Sequence, residues 1–415
     1  MQQSVTIEQV NAFLWRKQHL APGSAGSDAS SVVRDVVALH ATSALTPYLS
    51  LRARVADFRL AQLDAELYTE HHLVKLLCMR QTVHVVPLSE LRTVTAATGD
   101  RLRRNAKREL GQLLRWFGAS GPIEEAATLA RLEAAIADVI TVRGPSTAAE
   151  LSEAIPELKR RFRYAPDKPY SSVVSLGSVL LPRLTLLGLL MRGRPRGSWR
   201  SNQHEYALPR DWLPQSDLPP ISADQAQMQL LRQYLRAFGP ASLEDAAWWT
   251  GWSKGETQRA LSALAGQVAL IDIHNLGAGF CLLADDLPKL LSTPPLTGGA
   301  VQLLPSLDGY IMGFHNRSRF LPAEHYDQVF DRSGNAFATV WVDGRVVGIW
   351  READHGLEAL IWDELAREEI AAEATRLGAF LWRADGNQTE YTGKVVVRQY
   401  PTDLYIKTPF SLGRR

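Results

Sequence analysis

One helix-initiating pattern occurs twice in this chain, and the repeat limits the possible folds more than any other feature. The first copy covers residues 143–151 and contains Gly144-Pro145; the second covers residues 238–246 and contains Gly239-Pro240. In both, Gly-Pro precedes a hydroxyl residue that can cap a helix and acidic residues that suit its first turn. Each copy is followed by a second helical stretch and then by two strand-like runs that a Gly-containing turn joins. Helix, helix and hairpin in this order indicate a winged helix, so the repeat predicts tandem modules that dock on nucleic acid.

The composition is that of an ordinary globular protein with two to four domains. The chain has 415 residues, of which 46% are hydrophobic and 22% charged. It contains no run of the roughly 18 apolar residues that a membrane span needs, and its start lacks the features of a signal peptide. The two cysteines, Cys78 and Cys281, lie far apart. This fits a reducing cytoplasm and excludes a Cys-based zinc cluster, so we expect a cytoplasmic, nucleoid-associated protein without membrane contact.

Positive charge is concentrated in one stretch, although the net charge of the whole chain is only +2. Between Lys159 and Arg200 there are ten Lys or Arg residues and one acidic residue, Asp167. Inside a winged-helix module such a stretch favours contact with a phosphate backbone; the alternative is a solvated basic face. We predict that four arginines around the wing contact DNA: Arg192, Arg194, Arg196 and Arg200.

Hydrophobic periodicity and turn signals predict an α+β fold of four units. We predict three winged-helix modules and a C-terminal β-barrel-like domain, at residues 1–122, 123–217, 218–294 and 295–415. In the first module we predict helices at 6–20, 31–39 and 48–55, with Pro47 as an interruption, and a strand at 80–86. In the second we predict helices at 146–155 and 171–187, the latter as recognition helix, and strands at 189–192 and 204–208.

The helix and hairpin signals in the sequence are stronger in the last two units, residues 218–294 and 295–415. In the third module we predict helices at 242–248 and 254–264, with Ser253 and Glu256 as a capping box, and a hairpin of 268–271 with 280–283. Beyond Gly298 the chain changes to short strands. The turn Asp343-Gly344-Arg345 between 339–342 and 346–350 is a strong hairpin signal. A helix at 364–377 and a strand at 395–397 complete the predicted barrel.

Several segments, in their order and spacing, resemble the winged-helix DNA glycosylases of the AlkZ/YcaQ type. The matching segments lie at residues 39–42, 47–54, 79–84, 238–240, 249–251, 303–310 and 342–350. The resemblance covers nearly the whole chain and implies three winged helices and a C-terminal β-barrel around a concave DNA-binding channel. It also implies a monofunctional glycosylase that removes bulky N7-alkylated purines and unhooks interstrand crosslinks; some members protect the producer of a DNA-alkylating antibiotic. The expected partner is therefore double-stranded DNA, alkylated or crosslinked, bound by a monomer without cofactor or metal.

The chain departs from this family at the catalytic motif. Where the family has Gln-x-Gln or Gln-x-Asp, this sequence has His40 and Thr42. N7 alkylation makes the purine a cationic leaving group, so the enzyme mainly has to place a water under C1′. A neutral His40 accepts a proton from that water, whereas Thr42 only orients it, because a hydroxyl is not basic at pH 7. The alternative is structural: His40 bonds a backbone carbonyl and Thr42 caps the turn at Pro47.

Further candidates flank this motif. Arg80 and His84 lie in the strand-like run at 80–86 and are predicted to contact DNA in the channel, although His84 fits a core position equally well. Arg317 and Arg319 belong to a polar run that contacts phosphates or forms an ordinary solvated loop. Three tryptophans, Trp248, Trp249 and Trp252, suit the core of the third module better than a base-stacking platform. His71-His72 point apart on a helix and make a metal site improbable.

Two functions remain open from the sequence. The first is a DNA-repair glycosylase that hydrolyses the N-glycosidic bond of a bulky alkylpurine. The second is a DNA-binding protein without catalysis, which shields lesions or regulates transcription. The missing Gln and acidic residues argue against the enzyme. The lack of a heptad run for dimerisation argues against a regulator.

Overall fold

The computed structural model describes residues 3–169, 171–213, 221–353 and 356–401. These residues combine helices with five separate sheets whose strands pair mainly antiparallel, which confirms the α+β class. The predicted boundary between residues 217 and 218 lies outside the described residues. No helix in the described ranges combines the length and the apolar character that crossing a bilayer requires.

The N-terminal part contains four helices and four short strands. The helices are α1 (Ile7–Lys17), α2 (Ala29–Asp35), α3 (Leu45–Arg52) and α4 (Leu60–Tyr68). The strands are β1 (Gln3–Val5), β2 (Leu39–His40), β3 (Leu73–Leu77) and β4 (Val83–Pro87), and three of them form a sheet in the order β2-β4-β3. The predicted interruption at Pro47 is wrong. Pro47 lies in the first turn of α3, where the N–H that proline lacks has no helical partner anyway.

Two long helices, for which the sequence analysis makes no prediction, lead into the second module. They are α5 (Leu91–Phe117) and α6 (Pro122–Arg143). The C-terminal half of α5 buries Leu113 and Leu114 against Leu132 and Ile136 of α6. This pair of helices shares its hydrophobic core with the module that follows, because the same cluster continues to Leu208.

The second module contains the first copy of the repeat. Its elements are β5 (Ser146–Thr147), α7 (Ala148–Ala154), β6 (Arg161–Tyr164), β7 (Ser172–Ser175), α8 (Leu176–Leu186), β8 (Met191–Pro195), β9 (His204–Ala207) and α9 (Pro209–Trp212). The predicted helix at 171–187 begins later than expected. Residues 172–175 instead pair with β6 as an antiparallel hairpin, and α8 continues through Pro182.

The third module follows its prediction closely. It consists of α10 (Ala223–Phe238), α11 (Leu243–Thr250), α12 (Lys254–Ala263), β10 (Val268–Ile273), β11 (Gly277–Leu283) and α13 (Leu287–Ser292). The capping box of Ser253 and Glu256 and the β10–β11 hairpin are confirmed. The N-terminal strand β1 adds to this hairpin, parallel to β10, so the chain start is part of this module's sheet.

The two repeat copies share two structural features after the Gly-Pro dipeptide, although Gly144 has a positive φ of 82° and Gly239 has a φ of −71°. Thr147 caps α7 in a capping box with Glu150, and Ser242 caps α11 in a capping box with Asp245. The residue that follows Gly-Pro pairs in each case with the second strand of the hairpin, as Ala241 does with Cys281. The recurrence in sequence is therefore a recurrence in structure at the entry to each first helix.

The C-terminal strands form an open sheet and not the predicted barrel. The elements are β12 (Val301–Leu304), α14 (Tyr326–Val329), β13 (Thr339–Val342), β14 (Arg345–Ala353), β15 (Gly356–Ile361), α15 (Arg367–Ala384) and β16 (Lys394–Gln399). The order is β12-β13-β14-β15-β16, and among the described strands β12 and β16 do not pair. The sheet buries one face against α15 and the N-terminal helices, so it does not need closure to cover its apolar side chains.

The hairpin signal in this domain is confirmed. Asp343 and Gly344 both have positive φ, 46° and 82°, as the tight turn between β13 and β14 requires. All three hydrophobic clusters join residues from different predicted domains. One of them connects α1, α10, α11 and residues 304–337, and the site described next lies at this junction.

Candidate active site

His40 and His84 occupy facing positions on adjacent strands. They are directly paired in the antiparallel register of β2 and β4, so both side chains lie on the same face of the sheet. Their ring centroids are 5.1 Å apart and the rings meet edge to face. Only 6% of His40 and 7% of His84 is exposed. The fold thus brings together two histidines that are far apart in the sequence.

A small cavity adjoins this pair. Its volume is about 20 Å³, enough for one water molecule. The lining residues come from the N-terminal part, the third module and the segment after β12: Ala38, His40, Met79, Arg80, Thr82, His84, Trp249, Gly309 and Met312. A buried water needs two to four polar partners, and this lining includes two imidazoles, a hydroxyl and a guanidinium. The cavity can therefore hold one ordered water beside the histidines.

Both histidines are uncharged at neutral pH. Burial holds the pKa of His40 well below its ordinary value, and the nearby His84 and Arg80 lower it further. Burial also lowers the pKa of His84, to about 4. Neutral imidazoles can each donate one hydrogen bond and accept one, which the charged forms cannot do.

The hydrogen bonds around the rings favour opposite tautomers. Nδ1 of His84 lies 3.1 Å from the carbonyl oxygen of Thr82, so this nitrogen carries the proton and Nε2 has a free lone pair. Nδ1 of His40 accepts from the backbone N–H of Thr42 at 3.4 Å, which leaves the proton on Nε2. The pair accordingly presents one hydrogen-bond donor, Nε2–H of His40, and one acceptor, Nε2 of His84.

The two residues at the motif positions differ in placement. His40 is buried and lines the cavity, whereas the side chain of Thr42 is exposed and lies outside the lining. The contact of Thr42 with the site runs through its backbone N–H to His40. The alternative in which His40 only bonds a backbone carbonyl does not match this hydrogen bond, because its partner is an N–H donor.

Two arginines share the ring of one tryptophan next to the cavity. The guanidinium of Arg80 lies 3.7 Å from the ring centroid of Trp248, and that of Arg317 lies 4.8 Å from it. Within the described part of the chain, neither arginine has an ion-pair partner. Arg80 lies at a turn with positive φ, 54°, and keeps part of its side chain exposed. Partial desolvation of its guanidinium, and then the charge of Arg317, lower its pKa. Two like charges here favour an anionic ligand.

The repeat motif itself positions the second of these arginines. Oδ1 of Asp245, in the capping box of α11, accepts the backbone N–H groups of His315 and Asn316 at 2.8 and 2.9 Å. Asp245 is fully buried, so these bonds fix the loop that carries Arg317 beside Trp248. The burial of Trp249 and Trp252 agrees with the predicted core role of the tryptophans, and guanidinium groups cover Trp248, so the alternative of a base-stacking platform gains no support.

The prediction that Arg319 contacts DNA is wrong. Arg319 is 1% exposed, and its Nη1 donates to the carbonyl of Pro240 at 2.8 Å. Its guanidinium also lies 3.7 Å from Asp245. Arg319 joins the third module to the C-terminal part and has no surface to offer a phosphate. Arg317 is also mostly buried, so only a ligand that reaches the Trp248 face can meet it.

Two arginines of the predicted wing are neutralised by carboxylates. Arg196 pairs with Glu150 and Glu205, at 3.2 and 3.1 Å. Arg200 pairs with Glu352 and Asp385, at 2.8 and 2.7 Å, and so ties the hairpin to the C-terminal domain. The count of local charge did not include these partners, because all four lie outside residues 159–200.

The other two arginines of this hairpin differ from each other in exposure. Arg194 is exposed, lies over the ring of Tyr68 at 4.8 Å and bonds the hydroxyl of Thr69. Arg192 is half-buried, and burial lowers its pKa. Of the four wing arginines, Arg194 retains the clearest access to a phosphate. In the described residues, no group of three or more His, Cys, Asp or Glu side chains is arranged to hold a metal ion.

Thr82, Met312 and Trp249 line the cavity, and no sequence pattern indicates them as cavity residues. They come from three separate segments, and local patterns give no sign of their meeting. Cys78 was noted only for its redox meaning. It is buried, its Sγ lies 3.5 Å from Nδ1 of His84, and burial raises its pKa to about 12. Its thiol is therefore protonated and part of the support of His84.

Comparison with known proteins gives a consistent result. A family model described as "DNA glycosylase AlkZ-like" matches residues 33–380. An interstrand DNA cross-link repair glycosylase from Streptomyces sahachiroi is 26% identical over 391 residues, which is 91% of this chain and 96% of that protein. The solved structure of the Streptomyces sahachiroi DNA glycosylase AlkZ has a TM-score of 0.69 at 23% identity. The match covers 95% of this chain and 100% of that one, which supports the fold.

Proposed function

The chain belongs to the AlkZ-like DNA glycosylase family, and from this premise we propose that it binds duplex DNA and hydrolyses the N-glycosidic bond of bulky N7-alkylated purines or interstrand crosslinks. The observation that carries the proposal is the pair His40 and His84 at a cavity of the size of one water. Of this pair, His40 stands at the first position of the motif in which the resembling family has Gln, and His84 faces it from the adjacent strand. The chemistry therefore has to be possible with two imidazoles.

The proposed reaction is a displacement at C1′ of the damaged nucleotide. The bond from C1′ to the purine nitrogen breaks, and its electron pair neutralises the positive charge of the alkylated ring. The oxygen of the held water bonds to C1′. In the favoured tautomers, Nε2–H of His40 donates to this oxygen, and Nε2 of His84 takes the proton that the water loses. The products are a free alkylpurine and an abasic site.

The low basicity of the pair suits this reaction. A base with a pKa near 4 is weak, but a cationic purine leaves without protonation, and the water attacks a sugar that is already electron-poor. Neutral histidines add no positive charge to a transition state that carries one, whereas imidazolium groups would repel it. Burial thus keeps both residues in the form that the reaction needs.

The nearby Arg80 and Arg317 set a condition on the substrate. Their charges disfavour a cationic sugar unless an anion compensates them, and a DNA phosphate over Trp248 would do so. We therefore include both arginines in the proposed DNA contact, together with Arg194 of the hairpin. His84 leaves the group of predicted DNA ligands and joins His40 as a residue of the reaction.

The proposal extends to the architecture. We propose that residues 1–122, 123–217 and 218–294 are three winged helices, which with residues 295–415 surround a concave channel for DNA in a monomer. The shared capping box at the entry to α7 and α11 and the hairpins that follow support this for the second and third modules. The N-terminal module has helices and the sheet β2-β4-β3 in place of the repeated motif.

The deciding experiment uses a duplex with one bulky N7-alkylguanine on a labelled strand. After incubation, hot alkali cleaves the strand at any abasic site, and the cleaved fraction is compared with a protein-free control and with His40→Ala. Cleavage that requires the wild-type protein supports the proposal. Tight binding to the lesion without cleavage would favour the non-catalytic function, in which the protein shields lesions.

A further inference from the structure

The helix α5 carries a row of arginines that the mechanism does not use. From Arg101 to Arg108 there are five basic residues and no acidic one. Three of them, Arg101, Arg104 and Arg108, are spaced by three and four residues, so they lie within about 60° of each other around the helix. All three are exposed, and in the described part of the chain none of them has an ion-pair partner. We call these three residues the α5 ridge.

The opposite face of the helix explains why the ridge points outward. Leu102, Ala106 and Leu110 are buried, and they alternate with the arginines at helical spacing. The exposed position of the ridge is thus fixed by packing of the same helix. A row of unpaired guanidinium groups held by a packed helix is a stronger feature than the wing arginines, of which Arg196 and Arg200 have carboxylate partners.

Two contacts place the start of the ridge beside the candidate active site. The indole N–H of Trp252 donates to the carbonyl oxygen of Ala97 at 3.0 Å and is buried, which fixes α5 against the turn after α11. Four residues further along α5, Arg101 lies beside Gly251, which belongs to the loop after α11. A Cβ at Gly251 would lie 3.2 Å from Nη2 of Arg101 and 3.4 Å from the backbone nitrogen of Arg80. The guanidinium of Arg101 and the backbone of Arg80 therefore both lie beside Gly251.

The result is a line of positive charge that leads away from the cavity. It begins at Arg80, which lines the cavity, passes the turn at Gly251 and continues along the α5 ridge. Arg101 and Arg108 are separated by a helix rise of about 10 Å. One DNA strand has a phosphate for about every 3.4 Å of axis, so this length corresponds to about three phosphates.

We propose that the α5 ridge binds the phosphate backbone of one strand of duplex DNA beside the lesion, without reading sequence. The inference rests on the proposed function, since it assigns a further part of the same DNA contact. The ridge holds the strand that leaves the site, while Arg80 and Arg317 hold the phosphate nearest to the cavity. Its contribution is electrostatic and so equal for damaged and undamaged DNA.

The test compares two triple variants with the same change in net charge. The ridge variant is Arg101→Gln/Arg104→Gln/Arg108→Gln, in which glutamine keeps helix propensity. The control is Arg232→Gln/Arg383→Gln/Lys394→Gln, which removes three exposed charges from α10, α15 and β16. Binding to an undamaged duplex of about 20 base pairs is measured by fluorescence anisotropy between about 50 and 200 mM salt. Circular dichroism and thermal unfolding establish that each variant is folded.

For the ridge variant we expect a slope of log affinity against log salt that is smaller by about two to three, and an affinity at low salt reduced on the order of 100-fold. The control should keep the wild-type slope. A ridge variant that binds like the control, while the wild type binds well, overturns this inference and leaves the proposed function intact. If the wild type itself binds no DNA at low salt, the proposed function fails. Should the triple variant not fold, Arg104→Gln alone is expected to reduce the slope by about one, and an unchanged slope overturns the inference.

Discussion

Nε2 of His40 and Nε2 of His84 have opposite hydrogen-bonding roles, although the two rings are direct neighbours across β2 and β4. The role of each is set by the backbone partner of its Nδ1: the N–H of Thr42 for His40 and the carbonyl of Thr82 for His84. Two neutral imidazoles with opposite tautomers form a donor–acceptor pair, which can hold a water from both sides. The first prediction concerns this pair.

Removal of either ring should stop base release without loss of binding. We expect His40→Ala and His84→Ala each to reduce the rate of excision by about 100-fold or more, the usual effect of losing a positioned general base or its partner. Affinity for the lesion duplex should change by less than about threefold, because neither buried ring reaches a phosphate. Single-turnover excision and anisotropy measure the two effects. Full excision by both variants would place the chemistry elsewhere.

Activity should persist in mild acid. Burial lowers the pKa of His84 to about 4 and that of His40 well below its ordinary value, so both remain neutral when an exposed histidine, with a pKa near 6.5, is already half protonated. The excision rate should therefore change little from pH 7.5 to pH 5.5 and fall only as the pH approaches 4. The protein-free rate of base loss is subtracted at each pH. A sharp fall centred near pH 6.5 would contradict the buried, neutral pair.

Arg80 should contribute one phosphate contact to DNA binding. We expect Arg80→Gln to reduce the slope of log affinity against log salt by about one, with the same loss on damaged and undamaged duplexes. The matched control is Arg383→Gln, which removes an exposed charge from α15. If Arg80→Gln binds both duplexes as the wild type does, the phosphate over Trp248 is absent.

The acidic capping-box residues of the two repeat copies should contribute differently to the free energy of unfolding. Asp245 is fully buried, bonds the loop at His315 and lies 3.7 Å from the buried Arg319. Asp245→Ala leaves that guanidinium uncompensated and should lower the free energy of unfolding by about 3–5 kcal/mol. Glu150, its counterpart in the first copy, is exposed to solvent, so Glu150→Ala should cost only about 0.5–1 kcal/mol. Urea unfolding of both variants compares them, and equal costs would contradict this assignment.

Local signals account for the elements that the sequence predicted well. The capping box at Ser253 and the turn at Asp343-Gly344 depend on neighbouring residues, and both are confirmed. The helix α5 also had a local signal, since Leu102, Ala106 and Leu110 repeat at helical spacing, but no helix was predicted there. The barrel prediction failed for a different reason: alternation shows that strands exist, whereas closure depends on which edges meet.

The site could be predicted only in part. His40 was identified through its position in a family motif, but its pairing with His84 depends on the register of a two-residue strand, β2, which periodicity cannot detect. The charge of the wing was overestimated because Glu352 and Asp385, the partners of Arg200, lie far along the chain. In both cases the missing information is a contact between distant segments.

The last prediction asks whether the exposed Thr42 can be converted into a catalytic residue. The resemblance implies Gln or Asp at this position, and the exposure of Thr42 leaves room for either. A carboxylate there, outside the water cavity, offsets positive charge on the sugar. Thr42→Asp should therefore raise excision of a cationic N7-alkylguanine by at least about tenfold, which corresponds to roughly 1.4 kcal/mol of transition-state stabilisation.

The measurement is base release per unit time at saturating protein for the wild type, Thr42→Asp and the double variant His40→Gln/Thr42→Asp. Thr42→Asn is the matched control, because it has the same shape without the charge. If the protein only binds DNA, the new carboxylate repels phosphates, so Thr42→Asp would lose affinity and produce no abasic sites. Absence of release from all of these folded proteins would reject the glycosylase for the tested lesion and leave lesion shielding as the function of the DNA contact.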